Sequence, residues 1–185
     1  MNRFDNMPWP NKKQRRPPPE TTGLDHLVRL RTIRPTDLPF LLDLHAGFRA
    51  EELAPVLWPK AAKDDFLADQ YRLQQQHLVT RHPEADFWLV LRAEGSTAVG
   101  RLYLDRSTPL WRVLDIGFVP EARGGGIGTA LLGWVQARAR AAGAEGVDLH
   151  VLTTNPRARA LYLRHGFQDE DAPKGFHQLM VWRTA

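Results

Sequence analysis

Pro120-Glu121-Ala122-Arg123-Gly124-Gly125-Gly126-Ile127-Gly128 joins an apolar strand, Trp111 to Val119, to a helix expected from Gly126 to Ala142. In that helix Ile127, Ala130, Leu131, Trp134 and Val135 recur at amphipathic spacing. A glycine run at a helix N-terminus lets backbone N–H groups approach an anion, helped by the positive end of the helix dipole. Glycine also permits the left-handed torsions such a turn needs. The same residues can equally form a plain strand-to-helix turn, so the run alone leaves both readings open.

The identity of a phosphate ligand narrows by elimination. A dinucleotide fingerprint needs G-x-G-x-x-G, but counting from Gly124 ends on Thr129 and counting from Gly126 ends on Leu131. A P-loop would close on Gly-Lys-Ser/Thr, which is absent. R-x-x-G-x-G remains, carried by Arg123, Gly126 and Gly128. About thirty residues on lies a second patterned stretch, Asn155-Pro156-Arg157-Ala158-Arg159-Ala160-Leu161-Tyr162-Leu163-Arg164-His165-Gly166-Phe167. Asn155 before Pro156 reads as an N-cap followed by proline at the first helical position, and Gly166 sits where a helix ends.

Outward from these two stretches, Leu27 to Ile33 reads as a first strand and Arg34 to Asp37 as a helix start. Leu38, Leu41, Leu42 and His45 follow at helical spacing. A second helix, about Lys63 to Arg81, would set Phe66, Gln70, Leu73 and His77 on one rather polar face. Asp86 to Arg92 and Ala98 to Asp105 read as an antiparallel hairpin, Val147 to Leu152 as a buried strand and Phe176 to Arg183 as the last strand. The order is a mixed α/β pattern with an antiparallel first half, not the regular alternation of a doubly wound sheet.

Composition bounds the function. The 185 residues suit one domain of ordinary size. The absence of cysteine excludes disulfides, thiolate zinc sites and a cysteine nucleophile. No apolar run is long enough to span a bilayer and the start does not read as a secretory signal, so a cytoplasmic protein is expected. Of the net charge of +4, residues 1–23 account for +3, from Arg3, Lys12, Lys13, Arg15 and Arg16 against Asp5 and Glu20. The same stretch holds five of the 14 prolines. Residues 1–23 are therefore expected to be a disordered basic arm, with one folded domain over 24–185. The nearly neutral body argues against nucleic acid as a partner. His77, His150 and His165 lack ligand-like spacing, so no metal is expected.

The two patterned stretches together resemble the hallmarks of the GNAT superfamily of N-acetyltransferases: the R-x-x-G-x-G pyrophosphate loop and N-x-x-A-x-x-L-Y-x-x-x-G-F. The resemblance covers about 24–183. It implies a GNAT-like α/β fold, a central mixed and largely antiparallel sheet flanked by helices, with a splayed strand pair that binds acetyl-CoA as cosubstrate. The strand ending at Phe118 and Val119 would splay from Val147 to Leu152 and admit the pantetheine arm, and one of its amides would stabilise the oxyanion. Arg123, Gly124, Gly126, Ile127, Gly128 and Thr129 would hold the pyrophosphate, with Asn155 and Tyr162 contributing from the second stretch. Tyr162 would act as general acid to the departing thiolate, or else simply pack the helix. Asp115 would be the base, or else pair with an arginine such as Arg112; Glu84 and Asp86 are weaker candidates. The implied activity is acetyl transfer to a primary amine, small-molecule or peptide, by direct attack. A non-catalytic acyl-CoA-binding module is the alternative. The acceptor and the oligomeric state, a homodimer included, stay open.

Overall fold

The computed structural model describes residues 7–11, 18 and 20–184. One seven-stranded sheet organises them: β1 (Val28–Thr32), β2 (Asp86–Arg92), β3 (Ala98–Asp105), β4 (Leu110–Phe118), β5 (Gly146–Leu152), β6 (Gln168–Asp169) and β7 (His177–Arg183). The order across it is β1-β2-β3-β4-β5-β7-β6. Every neighbouring pair is antiparallel except β4 and β5. That exception follows from the connection: α3 (Ile127–Ala141) carries the chain back so that β5 restarts in the direction of β4. Helices α1 (Leu38–Leu53), α2 (Lys60–Arg81) and α4 (Pro156–Arg164) complete the molecule.

Two apolar clusters flank the sheet. One gathers Trp88, Leu102, Leu104, Val113, Val147 and Leu149 with Leu131, Leu132 and Val135 of α3. The other gathers Phe87, Leu89 and Tyr103 with Leu41 of α1 and Tyr71 and Leu78 of α2. Alternation along the strands explains the division, since Leu102 and Leu104 face one layer while Tyr103 faces the other. The central strands β2 and β3 therefore have two buried faces, which is why Asp86–Arg92 reads as a continuous apolar run.

Several expectations need correction. The buried stripe of α2 is Leu67, Tyr71, Gln75 and Leu78, not the face through Leu73 and His77, both of which are exposed. The helix is so polar that its stripe is only a few residues wide, and periodicity selected the wrong one. The two-residue strand β6 was not foreseen; it exists only because β7 offers it an edge. Much of the expected arm, residues 1–6, 12–17 and 19, lies outside the described residues. The described part is not free of the body: Met7 is 6% exposed within the second cluster and Trp9 packs against it. Glu20 accepts a hydrogen bond on its carbonyl from Trp134 Nε1 at 3.0 Å.

Candidate active site

The parallel pairing of β4 with β5 runs only from Leu110↔Gly146 to Val113↔Leu149. Beyond it β4 continues against β3 as far as Gly100↔Phe118, while β5 continues against β7 to Leu152↔His177. The two strands have parted, and the edge of β4 from Leu114 to Phe118 faces a gap. A bulge marks the parting. Tyr103 pairs with Asp115 and Leu104 with Val113, so Leu114 is an extra residue on β4. The extra residue changes the strand's parity: Val113 and Ile116 both pack with the first cluster, Leu114 with the second.

The glycine loop closes one end of the gap. After a 3-10 turn at Pro120–Ala122, Gly124 and Gly126 take φ of +79° and +82°, and Gly126 caps α3. A Cβ added at Gly124, Gly125 or Gly126 would meet nothing within 4 Å. Their small size is thus not demanded by neighbouring protein atoms, which leaves the loop backbone open to an approaching group. Gly128 differs: a Cβ there would lie 3.3 Å from Leu161 and 3.5 Å from Phe118, so this glycine lets α3, α4 and β4 meet. Arg123 turns back on β4, donating from Nε to the Phe118 carbonyl at 3.0 Å. Phe118 and Val119 are half-buried against the first cluster and Ile127 is 5% exposed within it, so their side chains serve packing and only their backbone can face a ligand. Thr129 stands exposed on the first turn of α3.

On the other side of the gap, Asn155 Oδ1 accepts from the Ala158 amide at 3.1 Å and starts α4, as its cap pattern predicts. Tyr162 projects from α4 into the core, 7% exposed, with its ring centroid 5.9 Å from that of Phe167. Burial, with a smaller push from the negative charge of Asp115, raises the Tyr162 phenol to about 12. Asp115 is thus close enough for its charge to act on the Tyr162 phenol, which itself lies in the first cluster.

Asp115 is not paired with Arg112, which instead bonds Asp148 through Nε at 2.8 Å. Its partner is Arg101 of β3, Nη2 to Oδ2 at 2.7 Å, with Gln74 of α2 donating to the same oxygen at 3.2 Å. Asp86 is held by Arg106 at 2.6 Å and is fully buried, which removes it as a candidate base. Arg101 escaped sequence reasoning because a lone arginine in an apolar strand has no motif. It is 1% exposed, and its guanidinium lies 5.4 to 5.5 Å from the ring centroids of Phe48, Tyr71 and Tyr103. Burial works against its charge, but Asp115 together with the Tyr103 and Tyr71 hydroxyls outweighs it and holds Arg101 above its ordinary value. His45 of α1, also buried, is pulled down to about 4, first by burial and then by Arg101. Phe48 rests on Gly117, where a Cβ would come within 2.3 Å of its ring, and it also lies 5.9 Å from the Arg123 guanidinium.

A mixed sheet opened between two parallel strands, with a glycine-turned helix beside the opening, is the architecture implied by the two motifs for an acyltransferase. Residues 48–167 match the acetyltransferase (GNAT) family, and the chain belongs to that family. Among curated proteins it is 30% identical over 110 residues, 57% of this chain and 72% of the other, to an IAA acetyltransferase of Azospirillum brasilense. Among solved structures it resembles the PaiA N-acetyltransferase of Thermoplasma acidophilum in complex with coenzyme A. That match has 18% identity and a TM-score of 0.64 over 85% of this chain and 99% of that one. A spermidine N-acetyltransferase chimera that includes Vibrio cholerae sequence aligns over 85% of this chain and 95% of its own, with 20% identity and a TM-score of 0.57.

Proposed function

We propose that this protein transfers an acetyl group from acetyl-CoA to a primary amine by direct attack within a ternary complex. The observation that carries the reading is the parting of β4 from β5 after Val113, beside a helix N-terminus whose glycines face open space. The loop amides from Gly124 to Gly128 would hold the pyrophosphate, with Thr129 and the dipole of α3 beside them. The open edge of β4 would pair with the pantetheine arm as a strand would, and one of its amides would face the thioester oxygen. Asn155, already used as a cap, would add a contact at the start of α4.

The chemistry then divides between two side chains. Both hydrogen bonds that hold Asp115 fall on Oδ2, so we assign Oδ1 to the incoming ammonium, which gives up a proton there. The freed amine forms the C–N bond as the C–S bond breaks, and the product amide loses its extra proton to solvent. The departing thiolate takes a proton from Tyr162, which recovers one from water. A phenol raised to about 12 stays protonated at neutral pH, as a general acid must. A phenol kept protonated on α4, within the influence of Asp115, favours transfer over a module that only binds acyl-CoA.

Tyr162→Phe tests the assignment. It keeps the ring against Phe167, so the melting temperature should move little, while turnover falls roughly 10²–10⁴-fold and acetyl-CoA affinity holds. Release of coenzyme A followed with a thiol reagent, across a panel of amines, reads turnover; calorimetry reads affinity. Full turnover in Tyr162→Phe on a confirmed acceptor would remove Tyr162 from the mechanism.

A further inference from the structure

The ion pair of Arg101 and Asp115 sits in a cluster of buried polar atoms that lack partners. Arg101 makes one hydrogen bond through Nη2, and its Nε and Nη1 make none. The hydroxyls of Tyr71 and Tyr103 approach one another without completing a well-formed hydrogen bond. Gln75, one turn after Tyr71 on α2, leaves both ends of its amide unmade, and each of these four residues is only 1% exposed. Leaving a buried donor of a charged group unmade costs more than leaving a neutral one so. A cluster serving structure alone would satisfy such groups or dispense with them.

The unmade groups have a definite chemistry. Around the guanidinium, two are N–H donors on a cation and two are phenols, with His45 Nε2 beside Tyr71 able to donate or accept. That set matches a ligand group that is negative, compact and accepts hydrogen bonds only, which a carboxylate is. The carboxylate of Asp115 lies 2.7 Å from the guanidinium, so a cation belongs immediately beside that anion. Positive and negative groups at such short separation describe an α-amino acid. Of the three rings around the guanidinium, Tyr71 and Tyr103 are almost wholly enclosed, whereas Phe48 is half-buried. Phe48 rests on Gly117, the residue of the opened β4 edge that pairs with Arg101, so a ligand coming from the gap would displace this ring to meet the guanidinium.

We infer that the acceptor is an amine that also carries a carboxylate, an α-amino acid or close analogue, whose carboxylate reaches the free N–H groups of Arg101 while its amine lies at Asp115. The inference rests on the acetyl-transfer reading above and narrows its substrate. The test is calorimetric titration of the full chain, saturated with coenzyme A, using matched sets: several α-amino acids, their decarboxylated amines and their deaminated acids. At least one amino acid should bind about 30-fold or more tighter than its decarboxylated amine, the effect of one or two charge-assisted hydrogen bonds. Tyr103→Phe should reduce that preference several-fold while leaving the melting temperature unchanged or higher, because the lost hydroxyl completes no well-formed hydrogen bond. Arg101→Lys should abolish the preference, with Tyr103→Phe deciding the matter if the lysine variant does not fold. Equal binding of the amines, no binding by any member of the sets, or a lowered melting temperature in Tyr103→Phe with preference intact would each overturn the inference. Coenzyme A is titrated first. Its failure to bind would refute the transfer reading, and titration of the unliganded chain with the same sets would still decide this one.

Discussion

At the scale of single residues, burial decides what each titratable group can do. Tyr162 and His45 are shifted in opposite directions by the same cause, since a buried phenol resists losing its proton and a buried imidazole resists gaining one. His45 makes a prediction about stability. Its folded value of about 4 lies below the unfolded value of 6.5, so the unfolded chain takes up the proton first as pH falls. Its contribution is fully present above pH 6.5 and is lost as pH drops toward 4, by roughly 3 kcal/mol. For a domain of this size that is about 6–12 °C of melting temperature. Thermal melts between pH 7 and 4 should show this fall, and a His45→Gln variant should show a visibly shallower one. Equal slopes in the two proteins would mean other groups control acid stability.

The elements carry the site by what they leave unpaired. The gap exists because α3 must cross the sheet to restore a parallel neighbour, and because the bulge at Leu114 turns β4 away after Val113. The glycine loop supplies the other wall, and Gly126 is the residue to test. It is left-handed with open space around its Cβ position, so Gly126→Asp should fold at a cost of about 1–2 kcal/mol in backbone strain. Its carboxylate would then stand where we propose that the pyrophosphate binds. Acetyl-CoA affinity should fall roughly a hundredfold or more. Calorimetry on the folded variant checks this, and unchanged affinity would show that the phosphates bind elsewhere.

Across the whole molecule the N-terminal stretch takes on a structural part. Met7 is buried in the cluster formed by residues of β2, β3, α1 and α2, and Glu20 meets Trp134 and, at 3.6 Å, Arg138 on α3. Burying one methionine is worth about 1.5–3 kcal/mol. Deleting residues 1–22 should therefore lower the melting temperature by more than about 5 °C, where a free arm would leave it unchanged. Differential scanning calorimetry of the two lengths distinguishes these outcomes.

What could be read from the sequence was local. The glycine turn, the Asn155-Pro156 helix start, the strands Asp86–Arg92 and Ala98–Asp105 and the apolar stripe of α3 all appear where their patterns place them, because torsional preference, capping and periodicity act over a few neighbouring residues. The family resemblance rested on two such short patterns. The partner of Asp115, the buried guanidinium of Arg101 and the seat of Phe48 on Gly117 were beyond it. So was the docking of Met7, in a stretch whose prolines and charges otherwise describe a solvated arm. Each of these joins residues far apart in the chain, and each depends on how the layers close over the sheet. Sequence alone determined the turns and strands that frame the gap; only the tertiary structure decided which side chains the gap brings together, because charge pairing and burial are settled by neighbours in space.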